Sequence, residues 1–152
     1  MTIHTYTTTL AWEGSTGDGY RAYSRAHTAA APPAAAELAL SADAAFRGDA
    51  ERANPEQLLV MAVSSCQLLS FLGEAARQGL DVRGYSDRAD GVMDAAARPA
   101  SISHITLRPE IVVAPGVDRA AVVAAAERAH EGCFIANSLR STIRLVVTVV
   151  EA

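Results

Sequence analysis

Alternating and helically spaced apolar residues divide the chain into predicted strands and helices. Residues 3–12 and 20–28 alternate polar positions with apolar or aromatic ones, and the stretch between them is dense in turn formers. This arrangement predicts a hairpin of two strands with a long loop. A linker containing Pro32-Pro33 at 29–36, a short strand at 37–41 and a loop at 43–53 are predicted to follow.

The strongest helix signal begins at Asn54-Pro55-Glu56. Asn is a favourable N-cap, Pro suits the first helical position, and a Glu in the first turn complements the helix dipole. The segment that follows runs to Gly79 and is apolar around most of its circumference. This pattern predicts a long central helix that is buried on most sides. One small sheet cannot cover such a helix, which indicates a dimer.

The second half of the chain predicts two long strands, two helical segments and a closing strand. The strands lie at 82–94 and 101–113, and Pro109 indicates an edge or a bulge in the second of them. Asp118 caps a helix at 119–130, a short helical turn follows at 134–139, and the last strand lies at 141–151. Helices and strands are segregated, so we predict an α+β fold with an antiparallel sheet. The length predicts a single domain over residues 1–152.

Charge and hydropathy narrow the classes of partner. The net charge is −4 and no basic stripe is present, which argues against nucleic acid and anionic membranes as partners. The longest apolar run, 58–63, is shorter than the ~20 residues of a membrane span. The N-terminal residues do not resemble a secretory signal, so a cytoplasmic location is expected. All 13 basic residues are Arg, which excludes Schiff-base or P-loop lysine chemistry.

Cys66 and Cys133 are the two cysteines, and two interpretations of them are open. They are either small buried hydrophobic residues or a redox-active pair. No C-x-x-C motif is present, and the ligand-like spacing His130-x-x-Cys133 stands alone, so neither a thioredoxin-like motif nor a metal is predicted. A thiol in the middle of an apolar helix, as expected for Cys66, needs a nearby cation to ionise, and here that cation has to be an Arg.

Several segments together resemble one protein family. NPEQLLVMAVSSCQLLSFL is similar to the signature helix, and HEGCFIANSL to the second cysteine segment, of the OsmC/Ohr family of osmotically inducible and organic hydroperoxide resistance proteins. AFRGDAERANPEQLL, YRAYSRAHT and STIRLVVTVVE also fit that family. Glu56 and Cys66 stand ten residues apart, at the family's spacing. The resemblance covers essentially the whole chain and implies the OsmC/Ohr-like fold in an intertwined homodimer.

The resemblance implies a thiol peroxidase that reduces organic hydroperoxides. Cys66 would be the peroxidatic thiolate and would become a sulfenic acid, and Cys133 would condense with it to a disulfide. A small dithiol of the lipoyl type would restore the thiols, with no bound cofactor or metal. The family also uses an Arg–Glu pair to stabilise the thiolate and polarise the peroxide. Glu56 occupies the Glu position, and Arg47 is favoured for the Arg over Arg21 and Arg25.

Helix geometry limits what Glu56 can reach. Ten residues of helix span ~15 Å, so Glu56 does not reach Cys66 along one straight helix. Either the helix breaks, or Glu56 serves a second chain, as in the family's homodimer. A plain helix-dipole role for Glu56 is the alternative. Gln67, His130 and Asn137 are further candidates to line the site, although surface or helix-end positions are the commoner settings for such residues.

Two other functions are weighed against the peroxidase. One is a protein of the same fold that acts in stress or binds a small ligand without efficient peroxidase activity. The other is an unrelated α+β domain with two structural cysteines. An apolar lining from Leu58, Met61, Leu69 and Phe134 would suit bulky organic hydroperoxides better than hydrogen peroxide. The sequence does not determine the physiological hydroperoxide or its reductant.

Overall fold

A computed structural model describes residues 2–152. The chain divides into two compact units, one ending at Leu58 and the other running from Leu59 to Ala152. The helices are α1 (Pro55–Arg77), α2 (Arg119–Glu131) and α3 (Phe134–Asn137). The strands are β1 (Thr9–Ala11), β2 (His27–Ala30), β3 (Glu37–Leu40), β4 (Val82–Asp87), β5 (Asp90–Met93), β6 (Ile102–Leu107), β7 (Pro109–Val113), β8 (Thr142–Leu145) and β9 (Thr148–Glu151). The prediction of a single domain over 1–152 stays a prediction.

The first unit contains a small antiparallel sheet in the order β1-β2-β3. The predicted hairpin is present, but its strands are shorter than the alternation at 3–12 and 20–28 indicates. The alternation at 20–28 reflects a stacked cluster instead, because the Arg25 guanidinium lies over the rings of Tyr20 and Tyr23 at 4.8 and 3.9 Å. The aromatic residues therefore pack on a cation where a continued strand was predicted.

The start of α1 confirms the predicted N-cap. The backbone N–H of Gln57 donates to Asn54 Oδ1 at 2.8 Å, and the backbone N–H of Asn54 donates to Gln57 Oε1 at 3.0 Å. This reciprocal pair is a capping box, which satisfies two backbone donors at the helix end. At the other end, Gly79 follows the last helical turn with φ of 68°, the left-handed conformation that glycine adopts without a Cβ penalty.

Each of the three long predicted strands of the second unit is divided in two. The breaks fall at 88–89, at Arg108 and at 146–147. The six resulting strands form two sheets, β4-β7-β9 and β5-β6-β8, so each divided strand contributes one half to each sheet. β4 with β7 and β5 with β6 are antiparallel, whereas β6 with β8 and β7 with β9 are parallel. The prediction of an antiparallel sheet therefore holds for two of these four pairings and is corrected for the other two, since the crossover through α2 and α3 returns the chain in the same direction.

One stripe of α1 lies in the interior of the second unit. Val63, Gln67, Phe71 and Ala75 are buried at four-residue spacing, which places them on one helix face. Val63 packs in a hydrophobic cluster with Ile105 and Leu107 of β6. Phe71 and Ala75 pack in a second cluster, whose other buried members come from β7 and α2: Ile111, Val113, Val122, Ala125, Ala126 and Ala129. The core therefore joins α1 to the sheets and to α2.

The rest of α1 differs from the prediction of a helix buried on most sides. Met61, Leu69 and Leu72 are 51%, 67% and 40% exposed in the single chain. By length and composition alone, the 23-residue helix would suffice to cross a membrane, with a mean hydropathy of 1.6 over its most apolar window. Core helices pass the same test, and the buried stripe of α1 packs in the two clusters described above. We therefore treat α1 as a core helix with an uncovered apolar face.

Candidate functional site

The structure brings the two cysteine thiols together. Cys66 lies partly buried in the middle of α1, and Cys133 is fully buried between α2 and α3. Both are free thiols, and they lie close enough for the pKa of each to depend on the other. Cys133 is also the N-cap of α3, where its Sγ accepts from the backbone N–H of Ala136 at 3.5 Å. The fold therefore brings the two cysteine segments together within one chain, and their pairing in a disulfide stays a prediction.

Hydrogen bonds favour the thiolate of Cys66. Burial is the largest single influence and raises the pKa of the Cys66 thiol, but the hydrogen bonds to the thiol, the strongest from the Cys133 thiol and the backbone of Ile135, outweigh it in sum. The Ser70 side chain and the backbone of Phe134 add to the same effect. The net pKa of Cys66 lies below the ordinary value of a cysteine, so the thiolate is more populated than in a free cysteine. The groups that lower this pKa are neutral, whereas the sequence suggested an arginine.

The pKa of Cys133 moves in the opposite direction. Burial raises it, and the hydrogen bond and the negative charge of Cys66 raise it further. The same hydrogen bond therefore favours the thiolate at Cys66 and the protonated thiol at Cys133. The two thiols are therefore chemically inequivalent, and the roles that the resemblance implies for them stay predictions.

Gln67 and Asn137 occupy structural positions beside the thiols. Gln67 follows Cys66 directly, is fully buried, and hydrogen-bonds to the ring of His130 and to the backbone of α2. Asn137 Nδ2 donates to the carbonyl oxygens of Glu131 and Cys133 at 2.9 and 3.0 Å. Glutamine and asparagine side chains lie more often at the surface or at a helix end, and the buried Gln67 differs from that expectation. Its burial could have been found only by noticing its spacing to Val63 and Phe71.

Arg25 and Glu56 both line a cavity of about 360 Å³ in the first unit. Its lining residues are Trp12, Thr16, Tyr23, Arg25, His27, Ser41, Ala42, Asp43, Phe46, Pro55 and Glu56. The guanidinium of Arg25 donates to the carbonyl oxygens of Tyr20 and Tyr23, so its plane is held by the backbone as well as by the two rings. Arginine, carboxylates and aromatic walls in one cavity could orient a small polar group with an apolar substituent.

The other arginine candidates lie elsewhere in the first unit. Arg47 is exposed, has a left-handed backbone with φ of 68°, and ends the short 3-10 helix Ala44–Phe46. It is absent from the lining of the described cavity, as is the exposed Arg21. The structure therefore groups Glu56 with Arg25, although the sequence favoured Arg47. Two tyrosines close to Arg25 in the sequence are the available signal for this stacking. The alternating pattern of the same residues predicted a strand instead.

Helix α1 is continuous from Pro55 to Arg77. The break that would have let Glu56 approach Cys66 within one helix is therefore absent, and ten residues of helical rise, ~15 Å, separate the two positions. Among residues 2–152 no group of three or more His, Cys, Asp or Glu side chains is arranged to hold a metal. Of the four predicted lining residues, Met61, Leu69 and Phe134 are exposed in the single chain at 51%, 67% and 82%.

Comparison of the sequence with protein families identifies one match. The family model described as OsmC-like protein matches residues 48–148, which is more than half of the chain. This region includes Glu56, Cys66 and Cys133 but not Arg25. No curated protein matches the sequence.

Solved structures share the fold over nearly the whole chain. An OsmC-like protein of unknown function from Vibrio cholerae is 27% identical, with a TM-score of 0.85 over 95% of this chain and 99% of that one. An organic hydroperoxide resistance protein from Legionella pneumophila is 18% identical, with a TM-score of 0.72 over 98% of each chain. An organic hydroperoxide resistance protein from Bacillus subtilis is 17% identical, with a TM-score of 0.64 over 97% and 98%. The latter two likenesses show the fold alone.

Proposed function

The chain belongs to the OsmC-like protein family, and from this membership we propose that it is a cysteine-based peroxidase that reduces organic hydroperoxides. One observation carries the proposal. Two free cysteines from α1 and from the turn between α2 and α3 lie close together, and the pKa of Cys66 lies below the ordinary value while that of Cys133 lies above it. An inert pair of buried thiols has no need of this asymmetry. The hypothesis of an unrelated α+β domain is wrong, because the family match includes both cysteine segments.

The first chemical step is an attack by the Cys66 thiolate on the terminal oxygen of the hydroperoxide. An S–O bond forms, the O–O bond breaks, and the alkoxide takes a proton and leaves as the alcohol. Cys66 is oxidised to the sulfenic acid and the peroxide is reduced. The thiolate is the nucleophile in such reactions, so the lowered pKa of Cys66 directly raises its reactive fraction.

The second step joins the two cysteines. Cys133 loses its proton and attacks the Cys66 sulfur, an S–S bond forms, the S–O bond breaks, and the hydroxide leaves as water with that proton. An external dithiol of the lipoyl type then reduces the disulfide by thiol–disulfide exchange. The overall reaction converts one hydroperoxide and one dithiol into an alcohol, water and an oxidised dithiol. No bound cofactor or metal takes part in this proposed cycle.

We further propose that the active unit is a homodimer in which the Arg25–Glu56 cavity of one chain serves Cys66 of the other. Glu56 lies ~15 Å along the helix from Cys66 of its own chain, which is too far for direct contact. The exposed apolar face of α1 is a surface that a second chain would bury. Arg25 would then polarise the peroxide, in the role for which the sequence favoured Arg47. A cytoplasmic location remains a prediction from the sequence.

The experiment is consumption of cumene hydroperoxide with dihydrolipoamide as reductant. Wild type is compared with Cys66→Ser, Cys133→Ser and the double variant, which measures background. We expect turnover to be lost in both single variants, with a stable sulfenic acid only in Cys133→Ser. Slow consumption at the background rate in all four proteins would overturn the peroxidase proposal. It would favour the alternative of a stress or small-ligand-binding protein, and ligand searches would then start with the cavity lined by Trp12, Tyr23 and Phe46.

The substrate class has its own check within the same assay. The aromatic and apolar lining of the cavity supports organic hydroperoxides over hydrogen peroxide. We expect a higher kcat/KM for cumene or fatty-acid hydroperoxides than for hydrogen peroxide. A preference for hydrogen peroxide would contradict the assignment of an organic substrate, whereas the proposed two-cysteine cycle would still stand.

A further inference from the structure

Gln67 is the polar member of the otherwise apolar buried stripe of α1. It lies four residues from Val63, in one hydrophobic cluster, and four from Phe71, in the other. Its side chain is fully buried. Burying an amide is unfavourable unless its donors and acceptors find partners, so a polar residue at this position needs a reason. The two chemical steps of the proposed peroxidase cycle make no use of it.

The hydrogen bonds of Gln67 define one arrangement of atoms. Nε2 donates to the carbonyl oxygen of Ala126 at 2.9 Å, which fixes the orientation of the amide because a carbonyl oxygen only accepts. Oε1 lies 3.2 Å from Nδ1 of His130. Since an amide oxygen also only accepts, His130 must carry a hydrogen on Nδ1. The carbonyl oxygen of Ala126 thus fixes the orientation of the Gln67 amide, and the amide oxygen in turn requires the hydrogen of His130 to be on Nδ1.

The two partners of Gln67 lie on the part of α2 that leads to Cys133. Ala126 and His130 are four residues apart and therefore share one helix face. The backbone N–H of Cys133 donates to the carbonyl oxygen of His130 at 3.1 Å. The turn that carries Cys133 is therefore hydrogen-bonded to the last turn of α2, which Gln67 contacts through His130. Cys66 precedes Gln67 on α1. One side chain thus links the two backbone segments that carry the thiols.

We propose that Gln67 is a positioning residue for disulfide formation: through Ala126 and His130, its amide holds the turn carrying Cys133 against the helix segment carrying Cys66. Apolar contacts alone are non-directional, whereas hydrogen bonds fix distance and angle. Bond formation between two held groups depends on such alignment, and a shift of about 1 Å can cost ~10²-fold in rate. The kinetic part of this inference rests on the proposed peroxidase function, because that function supplies the sulfenic acid.

The first test needs no hydroperoxide. The equilibrium of the Cys66–Cys133 disulfide with the oxidised and reduced dithiothreitol couple is measured for wild type and Gln67→Met, a substitution that keeps the volume and removes both hydrogen bonds. We expect the equilibrium constant for disulfide formation to fall about tenfold or more. Gln78→Met is the matched control, because Gln78 follows the C-terminal end of α1 and is exposed. An unchanged equilibrium constant in Gln67→Met would overturn the proposal.

The second test separates positioning from stability. After one equivalent of cumene hydroperoxide, the sulfenic acid should form at the wild-type rate in Gln67→Met but condense about tenfold more slowly, with extra sulfinic acid detected by mass spectrometry. A merely structural role predicts a lower Tm with both rates unchanged in the folded protein. That result would contradict the inference.

A second pair of variants covers the case in which Gln67→Met does not fold. His130→Leu removes the donor to Oε1 and should weaken disulfide formation in the same direction. His130→Asn supplies a side-chain N–H near the position of Nδ1 and should restore it. Equal equilibrium constants in both variants would refute the role of this contact. If wild type forms the disulfide with dithiothreitol but consumes no hydroperoxide, the peroxidase proposal fails while the positioning role is still tested.

Discussion

The thiol pair and the Arg25–Glu56 cavity are held in place by different kinds of contact. Cys133 and Gln67 are fully buried in the second unit, whose core joins α1 to two sheets and to α2. In the described part of the first unit only Leu40, Ser41 and Asn54 are buried. Arg25 is held there by ring stacking and by backbone carbonyls close to it in sequence. The two sulfurs are thus positioned by a dense core, and the charged groups by local contacts.

This difference shows what each region requires. Bond formation between sulfurs tolerates little displacement, and close packing supplies that accuracy. A guanidinium acts over a longer range and keeps its charge wherever it lies, so local stacking is enough for it. In the proposed dimer, the loosely covered cavity would gain its remaining walls from the second chain.

The largest effect is expected from the core of the thiol region. Phe71→Ala removes a fully buried ring from the cluster shared by α1, β7 and α2, and should lower the free energy of unfolding by about 3–5 kcal/mol. Phe46→Ala is the matched control in the first unit, where the ring is 41% exposed, and should cost about 0.5 kcal/mol. Urea denaturation measures both. Equal losses would show that the two regions do not differ in packing as described.

The next effect concerns the choice of arginine. Arg25→Met should lower kcat/KM for cumene hydroperoxide by about 10²-fold, because it removes a charged donor from the cavity that contains Glu56. Arg47→Met and Arg21→Met should leave the rate within about twofold, since both side chains lie outside that cavity. Circular dichroism checks that the Arg25 variant retains its fold. A large loss in Arg47→Met alone would instead support the arginine that the sequence favoured.

A smaller effect is expected at the helix caps. Asn54→Ala removes one half of the capping box at a buried position and leaves the backbone N–H of Gln57 without its acceptor, so it should cost about 1–2 kcal/mol of stability. Asp118→Ala removes the cap of α2, whose Oδ1 accepts from Ala120 and Ala121, and should cost about 0.5–1 kcal/mol because that site is exposed. Thermal unfolding compares the two. The reverse order would mean that local contacts matter less in the first unit than we infer.

The smallest effect is a displacement of titration curves within the thiol pair. The thiolate is the form that iodoacetamide alkylates, so a lowered pKa moves the rise in rate to lower pH. In Cys133→Ser, where a hydroxyl can still donate to Cys66, alkylation of Cys66 should reach half its maximal rate below the pH seen for a free cysteine. In Cys66→Ser, Cys133 should remain displaced to higher pH, because burial is the main cause of its raised pKa. Coincident curves would remove the asymmetry on which the proposed roles rest.

Local rules were sufficient for α1 and insufficient for the strands. Asn54, Pro55 and Gly79 act on neighbouring residues, so the helix they bound could be predicted to within two residues. The three long strands were predicted without their breaks at 88–89, Arg108 and 146–147. Which half of a strand joins which sheet depends on partners far along the chain, and the alternation of side chains continues through the change.

The sequence by itself determined the family and singled out the two cysteines and the glutamate as candidates, because these lie in motifs with characteristic spacing. Only the tertiary structure decided that Arg25 shares a cavity with Glu56, that Gln67 is buried between two clusters, and that the pKa values of Cys66 and Cys133 diverge. The physical reason is common to all three. Burial and hydrogen bonding depend on residues that the fold brings together from distant positions, and no local spacing in the chain encodes those neighbours.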